Sequence, residues 1–251
     1  RFTQPAMVAV ANMATLLLKK NGITPDYVCG LSLGEYSALS AAGVFDPETA
    51  IQVVRERGLA MEKAAEGVES AMMAILGLER ETLLDICVGC DGYVSIANYN
   101  CPGQLVIAGE KKAVEEAGQK ALDHGARRAV PLNTSGPFHT KLLKDASTRL
   151  HEVFKDVTFH EMNVPVIFNC TGKVLEDCSV QEMLEKQVMS PVYFEDSIRT
   201  MINNGVDTII EIGPGKVLSG FVRKIDRKIK TYQVEDMASL QKCVEAFNET
   251  K

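Results

Sequence analysis

Tyr27-Val28-Cys29-Gly30-Leu31-Ser32-Leu33-Gly34 carries the chain from an apolar strand, Tyr27 to Leu31, into a helix of small residues, Gly34 to Ala42. Within it lies G-x-S-x-G. At such a strand-to-helix turn the serine backbone is crowded, so the residues two away on each side are expected to be small. The turn exposes the Ser32 hydroxyl at the helix N-terminus, where the Leu33 N–H and the helix dipole can stabilise an oxyanion. This pentapeptide makes Ser32 a candidate nucleophile and makes the chain around it an α/β body.

Outward from this turn, helices and strands alternate. Gln4 to Lys20 reads as a helix with Pro5 in its first turn. Asp46-Pro47-Glu48 opens another with an N-cap, a first-turn proline and an acid, and it runs to about Glu66. The register then changes. Strand Ala71–Leu76, helix Glu79–Val88, strands Tyr93–Asn98 and Leu105–Ala108, helix Glu110–His124 and strand Ala126–Leu132 follow one another. That β-α-β-β-α-β order is the ferredoxin-like pattern. It predicts an inserted subdomain over 69–133, inside an α/β body formed by 1–68 and 134–251. The body resumes with a helix over Phe138–Phe154, a strand at Pro165–Asn169, helices over Val180–Gln187 and Val192–Asn203, and a strand at Thr208–Ile212. This alternation predicts a mainly parallel, helix-covered sheet.

The 251 residues include 27 Lys and Arg against 33 Asp and Glu, a net charge of −6, with no Trp. The balance is that of a globular protein without global attraction for nucleic acid. Ala6–Leu18, interrupted by Asn12 and Thr15, is too short for a membrane span. Seven scattered cysteines predict free thiols in a reducing cytoplasm, and Cys87-x-x-Cys90 reads as two ordinary thiols. Gly213-Pro-Gly-Lys216 lacks the spacing of a phosphate loop and reads as a tight turn.

A serine nucleophile needs a base. His124 reads as a helix cap, and His151 and His160 lie in polar surface stretches. His139 follows the turn-rich loop Asn133–Phe138 and opens a helix, which makes it the candidate. Ala50, Val54, Arg57, Met61 and Ala64 share one helix face, so Arg57 lies in an apolar stripe. A guanidinium there must be paired, either by an internal acid such as Glu35 or by a substrate carboxylate. The basic run Arg223, Lys224, Arg227, Lys228 and Lys230 is either a solvated face or a docking patch for an acidic partner.

Gly30-Leu-Ser-Leu-Gly-Glu-Tyr36, Arg57-Gly58, Asn98-Tyr-Asn-Cys-Pro-Gly-Gln104, Phe138-His139, Gln187 before Ser190-Pro-Val192, and Glu211-Ile-Gly-Pro-Gly-Lys-Val-Leu218 occur in one order. Together they resemble the malonyl-CoA:acyl carrier protein transacylases of fatty-acid and polyketide synthesis. The resemblance implies an α/β-hydrolase-like body with a ferredoxin-like subdomain. It implies a Ser32–His139 dyad oriented by the Gln187 backbone carbonyl, with Leu33 in the oxyanion hole. Arg57 would clamp the malonyl carboxylate, Phe138 would exclude α-branched groups, and Asn98 would bind substrate. Malonyl-CoA and the phosphopantetheine of acyl carrier protein are the implied substrates, with no permanently bound cofactor or metal and a monomeric enzyme. The family also opens with a strand and a Gly-Gln-Gly-rich loop that supplies an oxyanion amide. Nothing before Thr3-Gln4-Pro5-Ala6 matches it, so roughly 50–60 residues are expected to be missing and this chain alone to be weakly active. The rival readings are a serine esterase or thioesterase on the same fold and a non-catalytic carrier-protein-binding fragment.

Overall fold

The computed structural model describes residues 3–249. Helix α1 (Thr3–Lys20) is followed by β1 (Val28–Cys29), α2 (Gly34–Ala41) and α3 (Pro47–Ala65). Asp46 caps α3 as its composition predicts, accepting the Glu48 and Thr49 N–H groups at 3.0 Å, with Pro47 in the first turn. Helix α3 buries Ala50, Val53, Val54, Arg57, Ala60 and Met61 against α1 and the helices that come later.

The middle of the chain forms β2 (Ser70–Leu76), α4 (Arg80–Val88), β3 (Val94–Cys101), β4 (Gln104–Glu110), α5 (Lys111–Asp123) and β5 (Arg128–Pro131). The strands lie in the order β5-β2-β4-β3, and all their pairings are antiparallel. Helices α4 and α5 cover one face through Leu83, Ile86, Val114 and Ala117. The other face is built from Met72, Ala97, Val106 and Ala108, and Phe138 packs on it.

The chain returns through α6 (Lys144–Phe154), β6 (Val166–Ile167), α7 (Val180–Gln187), β7 (Val192–Tyr193), α8 (Phe194–Asn203), β8 (Thr208–Ile212), α9 (Val217–Ile225), β9 (Lys230–Val234) and α10 (Met237–Asn248). Among the described residues the body strands pair in parallel as two separate ladders, β1–β6 and β8–β9. They do not form the single parallel sheet that the alternation predicts. Strand β7 instead joins the middle sheet, parallel to β3, so that sheet is mixed and continues into the C-terminal half. No described helix is long and apolar enough to cross a membrane, and among the described residues the cysteines form no disulfide.

Two expected helices begin late. The one expected from Phe138 starts at Lys144, after a 3-10 turn at Lys141–Leu143, because His139 has φ +62° and cannot occupy a right-handed helix. The one expected from Val192 starts at Phe194, because Val192 and Tyr193 are extended and pair with Asn98 and Tyr99. Helices α9 and α10 and strand β9 were not expected at all. The basic run therefore spans the last turn of α9, the following turn and the start of β9.

The Ser32 turn is tight on one side only. A Cβ on Gly30 would overlap the carbonyl of Gly34 and lie 2.6 Å from the Glu35 nitrogen. A Cβ on Gly34 would meet nothing within 4 Å. The expectation that both flanking residues must be small therefore holds for Gly30 and not for Gly34. Gly30→Ala should destabilise the protein by about 3 kcal/mol or more. Gly34→Ala, at the first helical position, should be neutral or stabilising by up to about 1 kcal/mol. Urea unfolding of the two variants checks this, and equal losses would contradict the geometry.

Candidate active site

Ser32 is half-buried and has φ +54°, in the left-handed region that non-glycine residues seldom occupy. The turn closes with the Gly34 N–H donating to the Leu31 carbonyl at 3.0 Å, and the Glu35 and Tyr36 amides continue into α2. Among the described residues no acceptor takes the Leu33 N–H. It is left at the N-terminus of α2, beside the serine, where an anionic oxygen is stabilised.

Ser32 Oγ lies 2.7 Å from His139 Nε2, and His139 Nδ1 lies 2.9 Å from the Gln187 carbonyl oxygen. A carbonyl only accepts, so Nδ1 carries the proton and Nε2 presents its lone pair to the serine hydroxyl. The left-handed backbone of His139, which donates its N–H to the Val188 carbonyl at 3.1 Å, turns the ring inward. The imidazole is 3% exposed. Burial, and then the Arg57 charge, pull its pKa down to about 4. It is a neutral base at any ordinary pH.

Arg57 is 1% exposed. Its Nη1 donates to Gln4 Oε1 at 2.8 Å, and its Nη2 to Ser32 Oγ at 3.0 Å and Gln187 Oε1 at 3.1 Å. The Tyr36 ring lies 5.3 Å from the guanidinium carbon, and Arg57 Nε is buried without a hydrogen-bond partner. Among the described residues no carboxylate reaches ion-pair distance of it, Glu35 included. A buried cation held only by neutral groups favours an anion beside it. Its contact with Ser32 Oγ would put such an anion next to the serine hydroxyl.

The sequence singles out Gln187 for its carbonyl, but its side chain matters equally. Besides accepting from Arg57, it donates through Nε2 to the Ser32 carbonyl at 2.8 Å. Fully buried, Gln187 thus ties base, cation and nucleophile to one residue. Gln4, Glu35 as a hydrogen-bonding group, and Asn169 also escaped sequence reasoning. Asn169 had one signal, as the polar residue ending the run Val164–Phe168.

The remaining candidates lie apart from this cluster. Phe138, next to His139, packs against both the body core and the Met72–Ala108 face of the middle sheet. Asn98 is buried on β3, and the described hydrogen bonds do not join it to Ser32 or His139. Arg223, Lys224 and Arg227 line an open cleft of about 840 Å³ with Lys230 and, from the middle segment, Arg127. No carboxylate lines it, and Lys228 lies outside.

A family model described as acyl transferase domain matches residues 1–250. The chain is 45% identical over 250 residues to the malonyl CoA-acyl carrier protein transacylase of Bacillus subtilis (strain 168), covering 98% of this chain and 79% of that one. Among solved structures, the transacylase of the same name from Clostridium perfringens superposes with a TM-score of 0.94 at 42% identity, covering 99% of this chain and 79% of the other. A malonyl-transacylase in complex with a type II PKS acyl-carrier protein has a TM-score of 0.93 at 37% identity, with 97% and 80% covered.

Because burial and Arg57 keep His139 unprotonated down to about pH 4, the rate of Ser32 labelling by a fluorophosphonate should fall only as pH approaches 4. Removing the nearby charge in Arg57→Ala should move that acid limb upward. A wild-type limb near 6.5, the ordinary histidine value, would contradict the environment described here.

Proposed function

The chain belongs to the acyl transferase domain family, and from that premise we propose that it moves a malonyl group from malonyl-CoA to the phosphopantetheine thiol of an acyl carrier protein. The observation that carries the reading is Arg57, a buried cation without a carboxylate partner, 3.0 Å from the Ser32 hydroxyl. An esterase for neutral esters gains nothing from it. A substrate carrying a free carboxylate close to its reactive carbonyl satisfies both groups at once.

In the first half-reaction Ser32 Oγ attacks the thioester carbonyl while His139 Nε2 takes its proton, a contribution of roughly 10²–10⁴ in rate. The carbonyl oxygen becomes an oxyanion on the Leu33 N–H at the α2 terminus. The C–S bond breaks, His139 returns the proton to the departing CoA thiolate, and malonyl-serine remains. In the second half the pantetheine thiol gives its proton to His139 and attacks the ester, regenerating Ser32. The Gln187 carbonyl keeps the imidazole in the required tautomer, the role a carboxylate plays in a triad. No bound cofactor is called for, since the acyl group is carried on Ser32 itself.

Phe138 is assigned the exclusion of α-branched acyl groups, and its position next to His139 supports this. Asn98 is assigned a substrate contact. The middle segment is assigned a ferredoxin-like subdomain over 69–133, a reading supported by its β5-β2-β4-β3 strand order. The body is 1–68 and 134–251. Arg223, Lys224, Arg227 and Lys228 are assigned to docking of the acidic carrier protein, which the carboxylate-free cleft supports. The reaction is assigned to the cytoplasm, where free thiols persist.

Intact-mass measurement should show one malonyl adduct, absent in Ser32→Ala and discharged by holo carrier protein. Acetyl-CoA should label at least about 100-fold more slowly, and Arg57→Ala should erase most of that preference. Equal labelling by acetyl-CoA would remove the carboxylate argument. Arg223→Glu with Lys224→Glu should raise the KM for carrier protein by about tenfold, an effect fading with salt, and leave adduct formation unchanged. An unchanged KM would take the docking assignment away from this cleft.

A further inference from the structure

A serine at φ +54° is strained and persists only where its surroundings over-determine it. Asn169 supplies most of that determination. Its Oδ1 accepts the Ser32 N–H at 2.7 Å, and its Nδ2 donates to the Gly30 carbonyl at 2.6 Å. One side-chain amide therefore grips the turn on both sides of Leu31, as a neighbouring strand would. The backbone of Asn169 is fixed as well. Its carbonyl accepts the Tyr193 N–H at 2.8 Å, and its N–H donates to Glu35 Oε2 at 2.5 Å. All four polar groups of a residue 1% exposed are thus used.

Glu35 closes the ring. It is 0% exposed, lies three residues after Ser32 in α2, and has no cation within ion-pair distance among the described residues. Its Oε1 has no hydrogen-bond partner. The titratable or charged groups acting on it are Arg57 from α3, Cys29 from β1, Tyr36 from α2 and Cys170 after β6. The Gln187 side chain also acts on this carboxyl, but its short bond is the one it accepts from the Asn169 amide.

We propose that Asn169, held in place by Glu35, is a positioning residue: it locks the Ser32 turn so that Oγ meets His139 and the Leu33 N–H stays free. The inference rests on Ser32 as the nucleophile, but not on malonyl as the group transferred. It acts through the serine and touches no substrate. Glu35 needs only to accept a hydrogen bond. Burial pushes its pKa up to about 8, so it is neutral at pH 7, and a glutamine can replace it.

The test measures inactivation by a fluorophosphonate, which reads Ser32 without reference to malonyl-CoA, together with the KM for malonyl-CoA. Asn169→Ala should slow inactivation by about 10²-fold, the scale of a 1 Å misplacement of a reacting group, and leave KM within twofold. Glu35→Ala, which leaves the Asn169 amide unpaired and removes the carboxyl beside the Gln187 side chain, should slow it at least tenfold. Glu35→Gln should restore it to within threefold of wild type. Should Asn169→Ala fail to fold by circular dichroism, the Glu35 pair decides alone. Inactivation of Asn169→Ala or Glu35→Ala within threefold of wild type overturns the proposal. So does a Glu35→Gln as slow as Glu35→Ala. If wild type is inactivated yet acquires no malonyl adduct, the malonyl reading fails while this one is still judged on inactivation rates.

Discussion

Gly30 has no Cβ, and the Gly34 carbonyl occupies the place where one would stand. This close approach lets α2 start directly from the end of β1. It also bends Ser32 into a left-handed conformation that the residue would not adopt unaided. The rest of the site either follows from that bend or maintains it. The bend leaves the Leu33 amide unpaired and directs Oγ away from the helix. Asn169, in the turn after β6, and Gln187, at the end of α7, then hold the amide and the carbonyl of Ser32. The nucleophile is placed by backbone, and the hydrogen bonds of its hydroxyl remain available for His139 and Arg57.

The electrostatics of the site depend on keeping one charge unspent. Arg57, His139 and Glu35 are all buried, and burial pushes each toward its neutral form. The histidine and the carboxyl yield, one to a value near 4 and the other to a value near 8. The guanidinium stays protonated in proteins, so it is the one fixed charge of the three. An ionised Glu35 would compete with an incoming carboxylate for it. A protonated His139 would be repelled by it. The neutral states of both neighbours leave Arg57 to a ligand.

Much of this was legible in the sequence, for physical reasons that can be named. Ser32 was marked by local steric rules, Arg57 by its place in an apolar stripe, and α3 by a proline and a capping acid. The β-α-β-β-α-β order was marked by periodicity and turns. Features that depend on long-range contact were not legible. Asn169 bonds a residue 137 positions away, and nothing near it in the chain announces that. His139 stands beside Ser32 Oγ but not at the helix start that the sequence predicts, because its left-handed backbone is imposed by its surroundings. Helix α9 carries Leu218, Phe221, Val222 and Ile225 at uninterrupted helical spacing, a signal overshadowed by the charges of Arg223 and Lys224 in its last turn. Strand β9 was hidden because its residues Lys230-Thr-Tyr-Gln-Val234 are mostly half-buried and polar.

The two basic features of the molecule work at different ranges. Arg57 is desolvated, so it acts strongly on a single charge brought within a few ångströms. The cleft around Arg127, Arg223 and Arg227 is open to water, so each charge there is weak, and only their sum over an extended acidic surface matters. The apolar side of α9 packs in the same cluster as Leu31, the residue before the nucleophile. The basic cleft is thereby built onto the frame that holds the Ser32 turn, although the cleft and the serine share no lining residue.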